Sequence, residues 1–331
     1  MSCIREELER KEAAYLSPRA TLSEHSRGRE FPLPPDDIRT DFQRDRDRII
    51  HCKSFRRLMH KTQVFLSPEQ DHYRTRLTHT LEVMQIGRTI CRALRLNEDL
   101  CEAVALGHDL GHTPFGHAGE SVLQKCFDPS FTHYRQSLRV VEKLENDGAG
   151  LNLTWEVRDG ILNHTGEDRA ATLEGRIVKY ADRIAYINHD IDDAIRARVI
   201  CSEDIPSALR NVLGQTHGER IDRMVRSVIQ ASMDGEDICM EPSIGQATEE
   251  LRQFMFARVY YNPLAKKEEK KAMLLLEDLY AFFIKHPERL PPERAAADES
   301  IPRRVCDYLA GMTDRYAIRL YTSLHIPEQF R

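Results

Sequence analysis

The chain has 331 residues, 41% hydrophobic and 31% charged, and its 48 basic and 53 acidic side chains leave a net charge of −5. That length buries a sizeable core without disulfides or structural metals, and the lack of any run near ~20 apolar residues excludes a membrane-spanning helix. The negative balance offers no global attraction for nucleic acid, so a polyanionic ligand needs a local basic cluster.

Residues 1–10 are charged and lack the apolar segment of a signal peptide, so the protein is expected to stay in the cytoplasm. The eight cysteines form no C-x-x-C pair and no zinc-finger spacing. They read as reduced thiols in or near the core. Residues 1–40 are expected to be an irregular N-terminal arm, broken by Pro18, Pro32, Pro34 and Pro35 and by the loop at 26–29.

From Asp41 onward the spacing of apolar residues predicts helices over 43–61, 74–95, 98–109, 116–126, 134–145, 155–163 and 173–196. Further helices are predicted over 203–213, 218–233, 244–261, 266–285 and 299–323, with loops at 234–243 and 286–297. Alternating strand patterns with hairpin turns are missing. The fold class is therefore all-α, a multi-helix bundle with a metal site between facing helices. Residues 41–200 form the core that carries the chemistry, and 201–331 a C-terminal helical region packed on it. The charge run at 266–271 reads as a solvated helix face.

Three groups of residues carry the chemistry. His79 shares a helical face with Val83, Ile86 and Ile90, so it points inward, and Arg76 lies three residues earlier on that face. An inward guanidinium needs a partner. Twenty-nine residues after His79 comes His108-Asp109, and the run to Glu120 holds His112 and His117 among Gly and Pro. His117 and Glu120 are three apart on one helical face, a pair able to orient water and carry protons. Asp182, Tyr186 and Asp190 recur every four residues on a nearly apolar helix, where a buried carboxylate needs a cation. His79, His108, Asp109 and Asp182 thus offer four N/O ligands from three helices to one divalent metal, with positions left open.

This ordered set resembles the HD-domain metal phosphohydrolases. Within them it is most similar to the deoxynucleoside triphosphate triphosphohydrolases, the dGTPase-like branch. The runs that carry the resemblance are residues 44–49, 55–58, Lys61-Thr62-Gln63-Val64, Arg74-Thr75-Arg76-Leu77-Thr78-His79, 108–120 and the Asp182/Tyr186/Asp190 stripe. It covers about residues 38–195.

The resemblance implies that 41–200 is an HD core in which His79, His108, Asp109 and Asp182 hold the metal (Mn, Mg, Fe, Co, Ni or Zn). It implies that His112, His117 and Glu120 surround the scissile phosphate, joined by His133. It implies that Arg76, Lys179 and Arg183 contact phosphate, that Gln63 and Asp190 hold the sugar 3′-hydroxyl, and that Tyr186 packs against C2′ and excludes a ribose hydroxyl. The reaction it implies releases a deoxynucleoside and intact inorganic triphosphate. It also implies a homo-oligomer, a hexamer in many members, with a nucleotide activator between subunits.

The local cations Arg56, Arg57, Lys61, Arg74, Arg76, Lys179 and Arg183 would offset the triphosphate charge. His117 is read as the acid that protonates the 5′-oxygen, tuned by Glu120; the reverse role, activating the water, stays open. Two other readings are carried: an HD phosphohydrolase of nucleoside monophosphates or cyclic nucleotides, and a non-catalytic nucleotide-binding regulator.

Overall fold

The computed structural model describes residues 3–63, 74–260, 263–291 and 299–327, with the side chains of 263–267 left aside. Val64, the side chains of Lys266 and Lys267, and residues 292–298 of the expected loop lie outside the described residues. Among the described residues the elements are fifteen α-helices, short 3-10 and π turns, and two isolated β-bridges, an all-α fold as expected.

In chain order the helices are α1 (Ile4–Tyr15), α2 (Asp41–His51), α3 (Lys53–Arg57), α4 (Arg76–Leu94), α5 (Glu98–Gly107), α6 (His117–Cys126), α7 (His133–Arg139) and α8 (Trp155–Leu162). They continue with α9 (Leu173–Arg196), α10 (Ser207–Leu213), α11 (His217–Ser232), α12 (Pro242–Met255), α13 (Pro263–Lys285), α14 (Ile301–Ala310) and α15 (Asp314–His325).

The chain forms two compact units. One comprises Met1–His51, Thr78–His108 and Asn152–Asn262; the other comprises Cys52–Leu77, Asp109–Leu151 and Pro263–Arg331. Neither is one continuous stretch. The division expected at residues 40 and 200 is a division of the chain, not of these units.

In the first unit α5 packs on α2, α8 and α9, and α9 packs on α11. Asn97 caps α5 by accepting from the Asp99 and Leu100 amides, and Glu98 and Asp99 suit its positive end. Its residues 103–107 are all buried. Gly87 brings α4 against its neighbours, since a Cβ there would lie 2.9 Å from Cys101 Sγ and 3.7 Å from the Ala181 methyl. Close approach at this glycine sets α4 beside α5 and α9, the helices on which His108 and Asp182 are mounted.

The N-terminal arm is not irregular as expected. α1 forms because the prolines begin only at Pro18, and an Arg5–Glu9 pair one turn apart supports it. It buries no residue, so no apolar periodicity announced it. The arm is tied down by polar contacts. The buried Glu174 carboxylate accepts from the Thr21 amide and hydroxyl and from the Asn97 amide. Arg29 bonds Asp45, Asp41 and the Asn152 carbonyl, and Arg27 lies 3.7 Å over the Trp155 ring.

In the second unit α13 packs on α6, α14 and α15. Its core includes Phe115, Val122, Leu279, Phe283, Leu309 and Ala317. The helix expected over 299–323 is two helices. It breaks after Ala310, and Thr313 caps α15 by accepting from the Tyr316 amide.

Other expected helices also end sooner. The one over 43–61 breaks at Cys52, whose Sγ accepts from the Phe55 amide, giving α2, α3 and a 3-10 turn. That over 134–145 becomes α7 and a π turn at Val140–Leu144. That over 244–261 becomes α12 and a π turn at Phe256–Tyr260. That over 203–213 begins only at Ser207, after Pro206.

Candidate active site

The first unit gathers imidazoles around one carboxylate. His79 is 1% exposed on the buried face of α4. Its Nε2 lies 3.1 Å from Asp182 Oδ1 on α9. His108 caps the end of α5, with Nε2 4.0 Å from the same oxygen. Its Nδ1 lies 2.6 Å from the Ala105 carbonyl. A carbonyl can only accept, so Nδ1 carries a proton and a neutral ring offers its Nε2 lone pair.

His164, just beyond α8, repeats the device: its Nδ1 donates to the Ile161 carbonyl at 2.7 Å. The rings of His108 and His164 are 4.9 Å apart. One donor atom each from His108, His164 and Asp182 lie within 4.8 Å of one another. Burial pushes the Asp182 carboxyl up, but the hydrogen bond from His79 and the nearby His108 and His164 outweigh it, holding it at about 2.

An ionised carboxylate among oriented imidazoles is the donor set of a borderline divalent cation. These residues fit a metal. Asp109, the fourth expected ligand, follows His108 directly in the chain. Within the second unit its Oδ2 accepts from Arg76 Nη1 at 2.7 Å, both side chains buried. Arg76 therefore has its partner, and that partner is a carboxylate.

The second unit holds the group expected to carry protons. Between His112 and α6 the backbone reverses sharply, with φ of +60° at Phe115 and +61° at Gly116. A phenylalanine in the left-handed region costs about 1–3 kcal/mol and persists only where its surroundings hold it. A Cβ on Gly111 would lie 2.1 Å from the Ser137 amide nitrogen, so only glycine lets this strap cross α7.

Past the reversal, Glu120 accepts from the His133 amide at 3.1 Å, and its Oε2 faces His117 Nδ1 at 3.3 Å and His133 Nδ1 at 3.2 Å. His112 stacks on His133 at 4.8 Å. The sequence expectation of four groups at one phosphate corresponds here to four side chains in mutual contact.

Their protonation states are pushed apart. Burial raises the Glu120 carboxyl, but hydrogen bonds from His117 and His133 win and hold it far below the usual carboxylate range. Burial lowers His133, yet its bond to Glu120 leaves it raised. His112 is pushed well below the ordinary imidazole value by burial and by the Arg76 cation. At neutral pH this is a carboxylate, a histidine inclined to hold its proton, and a neutral imidazole, arranged for acid–base work.

Lys61 departs from its expected role. It is not an open cation for phosphate. It is buried, and its ammonium donates to the carbonyls of His112 and Ala310. Burial lowers it to about 7. Gln63 keeps a buried Oε1 with no hydrogen-bond partner among the described residues.

On α9, Asp190 is buried and accepts from the Tyr260 hydroxyl. Burial and the Asp182 charge raise the Tyr186 phenol well above its ordinary value. Tyr186 also faces Arg252, whose guanidinium is paired with Glu249 at 2.5 Å. Lys179 spends its donors on the carbonyls of Gly166 and Asp168, at 2.6 and 3.1 Å. Burial and the neighbouring Arg183 and Arg169 lower its pKa.

His164, Tyr260 and Arg252 escaped the sequence reading. For His164 one signal exists: it stands three residues past Ile161 at a helix end, as His108 does past Ala105. The aromatic and the arginine lie on ordinary-looking helical sequence.

The HD domain family matches residues 76–187, and the phosphohydrolase-associated domain matches residues 238–323. A deoxyguanosinetriphosphate triphosphohydrolase-like protein of Caldanaerobacter subterraneus subsp. tengcongensis is 58% identical over 326 residues, covering 98% of this chain and 96% of that one. One of the same description from Desulfatibacillum aliphaticivorans is 49% identical over 348 residues, covering 98% of each. A solved phosphohydrolase from Bacteroides thetaiotaomicron VPI-5482 shares the fold with a TM-score of 0.55 at 15% identity, over 89% of this chain and 70% of that one.

Proposed function

Because this chain belongs to the deoxyguanosinetriphosphate triphosphohydrolase-like family of HD-domain proteins, we propose that it is a metal-dependent deoxynucleoside triphosphate triphosphohydrolase. The family makes it a hydrolase of nucleotide phosphates. The finer reading is attack at the α-phosphorus, releasing a deoxynucleoside and inorganic triphosphate. The observation that carries it is the Glu120 carboxylate shared by His117 and His133 beside His112, a group built to move a proton at a phosphate ester.

His79, His108, Asp109 and Asp182 would hold the metal. When bound, such a cation polarises the α-phosphate oxygens and acidifies water. The protein's own residues do the rest. Arg76 supports the phosphate charge, aided by Arg183 and the adjoining Lys179. His117 gives its proton to the departing 5′-oxygen, and Glu120 holds the imidazole in position. Gln63 and Asp190 take the 3′-hydroxyl. Tyr186 lies against C2′. A homo-oligomer with a nucleotide activator between subunits completes the proposal. No described helix is long and apolar enough to cross a membrane.

Product analysis by anion exchange, with each dNTP and NTP and Mn²⁺ or Mg²⁺, tests the reaction. Triphosphate from dNTPs alone is expected, lost on chelation and restored by the metal. Orthophosphate or pyrophosphate would point instead to a different phosphohydrolase, and metal-independent binding without turnover to a regulator.

Tyr186→Ala tests the sugar contact. Opening the space beside C2′ should reduce discrimination against ribonucleotides roughly tenfold or more in kcat/KM. Unchanged discrimination would refute the steric role.

A further inference from the structure

In the second unit, three pieces of the proposed machinery meet one short segment at the junction of α14 and α15. Asp314 opens α15, and both of its oxygens are engaged by other parts of the chain. Oδ2 accepts from the Thr62 amide at 2.9 Å and from the Thr62 hydroxyl. Oδ1 accepts from the Phe115 amide at 2.9 Å. Thr62 adjoins Gln63, and Phe115 is the left-handed residue of the strap between His112 and His117.

Lys61 makes the matching contact from the other side. Its buried ammonium joins the His112 carbonyl to the Ala310 carbonyl at the end of α14, the latter at 3.0 Å. One turn back on α14, Asp307 accepts from Gln136 at 2.9 Å and from Arg139 at 2.7 Å, which ties down α7, the helix that begins with His133.

An acidic residue in the first turn of a helix is ordinarily there to suit the helix dipole. That accounts for a carboxylate at 314. It does not account for a buried carboxylate that accepts from Thr62 and Phe115, both outside its own helix. Nor does packing alone call for a lysine at position 61, since taking an ammonium out of water is costly even where, as here, the carbonyls of His112 and Ala310 accept from it.

We propose that Asp314 and Lys61 are positioning residues of the hydrolysis, holding the His112–Gly116 reversal so that His112 and His117 face the α-phosphate. The inference rests on the reaction assigned above. It gives the phosphohydrolase-associated segment, residues 238–323, a part in catalysis without contact to substrate.

The test is steady-state kinetics of triphosphate release by the full chain with metal. Asp314→Ala releases the Phe115 amide and should lower kcat about 10- to 100-fold, the scale of a small misplacement of catalytic groups. KM should change less than about threefold, because the residues proposed to bind phosphate and sugar remain. Asp314→Asn keeps one acceptor oxygen and should fall between Asp314→Ala and wild type.

Lys61→Met keeps the stem, removes the ammonium and should reproduce the kcat loss with KM held. A kcat within twofold of wild type in Asp314→Ala overturns the proposal. So does a loss that only follows the unfolded fraction measured by circular dichroism at the assay temperature. If Asp314→Ala does not fold, Asp314→Asn decides, and wild-type kcat in it overturns the proposal. Absence of triphosphate from wild type overturns the assigned reaction and this inference together, whereas full turnover by the variants overturns the positioning alone.

Discussion

His117→Ala is expected to lower kcat by roughly 10²- to 10⁴-fold, the range of a lost general acid or base, while the protein keeps its metal and its stability. The His117 side chain is 82% exposed at the first turn of α6, whereas Glu120 beneath it is 11% exposed. Removing an exposed imidazole leaves no cavity, and surface changes of this kind usually stay within about 0.5 kcal/mol. A large loss of turnover would therefore be chemical.

Glu120 explains why the ring is held while its outer nitrogen remains available. Nδ1 faces the carboxylate at 3.3 Å, which leaves Nε2 directed away from that contact. His133 shares the carboxylate and holds it in place from the buried side. A 5′-thio substrate separates the two roles of His117, because a thiolate departs without a proton. Rescue of His117→Ala by that analogue identifies the acid. Persistent loss identifies the residue that activates water. Normal turnover of the ordinary substrate would remove His117 from the chemistry altogether.

What was legible in the sequence follows from how each feature is encoded. The inward face of His79 was readable because three apolar neighbours share its helical stripe, and Val83, Ile86 and Ile90 are indeed buried. The group at 108–120 was readable because its residues are close along the chain. Lys61 was misread because its partners are 51 and 249 residues away. A basic side chain next to a basic run looks the same in sequence whether it meets a phosphate or two carbonyls.

His164 was missed for a related reason. It has no ligand-like spacing to any neighbour, and only the turn after α8 brings it to His108. α1 was missed because it buries nothing, so the periodicity that reveals packed helices was absent. The break between α14 and α15 was missed because apolar residues continue across it; the Thr313 cap, not the apolar pattern, decides the boundary.

Asp182→Ala is the second large effect expected: metal content below about a tenth of wild type, and loss of measurable triphosphate release. Asp182 is the carboxylate that His79 and His108 both face. Without it, the proposed ligand set loses one of its two carboxylates, the one that both imidazoles face, and with it much of the charge that opposes a divalent cation. The state of Asp182 also sets a pH limit. Its carboxyl is held at about 2, below its unfolded value near 4. It is therefore charged across the working range, and what its ionisation contributes to the fold is present above about pH 4 and lost as pH falls through about 2.

Thermal unfolding supplies a readout independent of turnover. A ligand that binds only the folded state raises apparent stability by mass action, so adding Mn²⁺ should raise the wild-type melting temperature and leave Asp182→Ala unmoved. An equal rise in both proteins, with stoichiometric metal in the variant, would show that the cation is held elsewhere and that the ligand set drawn from His79, His108, Asp109 and Asp182 is wrong. The Asp314 variants should still respond to Mn²⁺ as wild type does, because none of the proposed ligands is among the hydrogen-bond partners of Asp314. Loading and turnover would then fail separately, as expected if one set of residues holds the cation and another aims the proton.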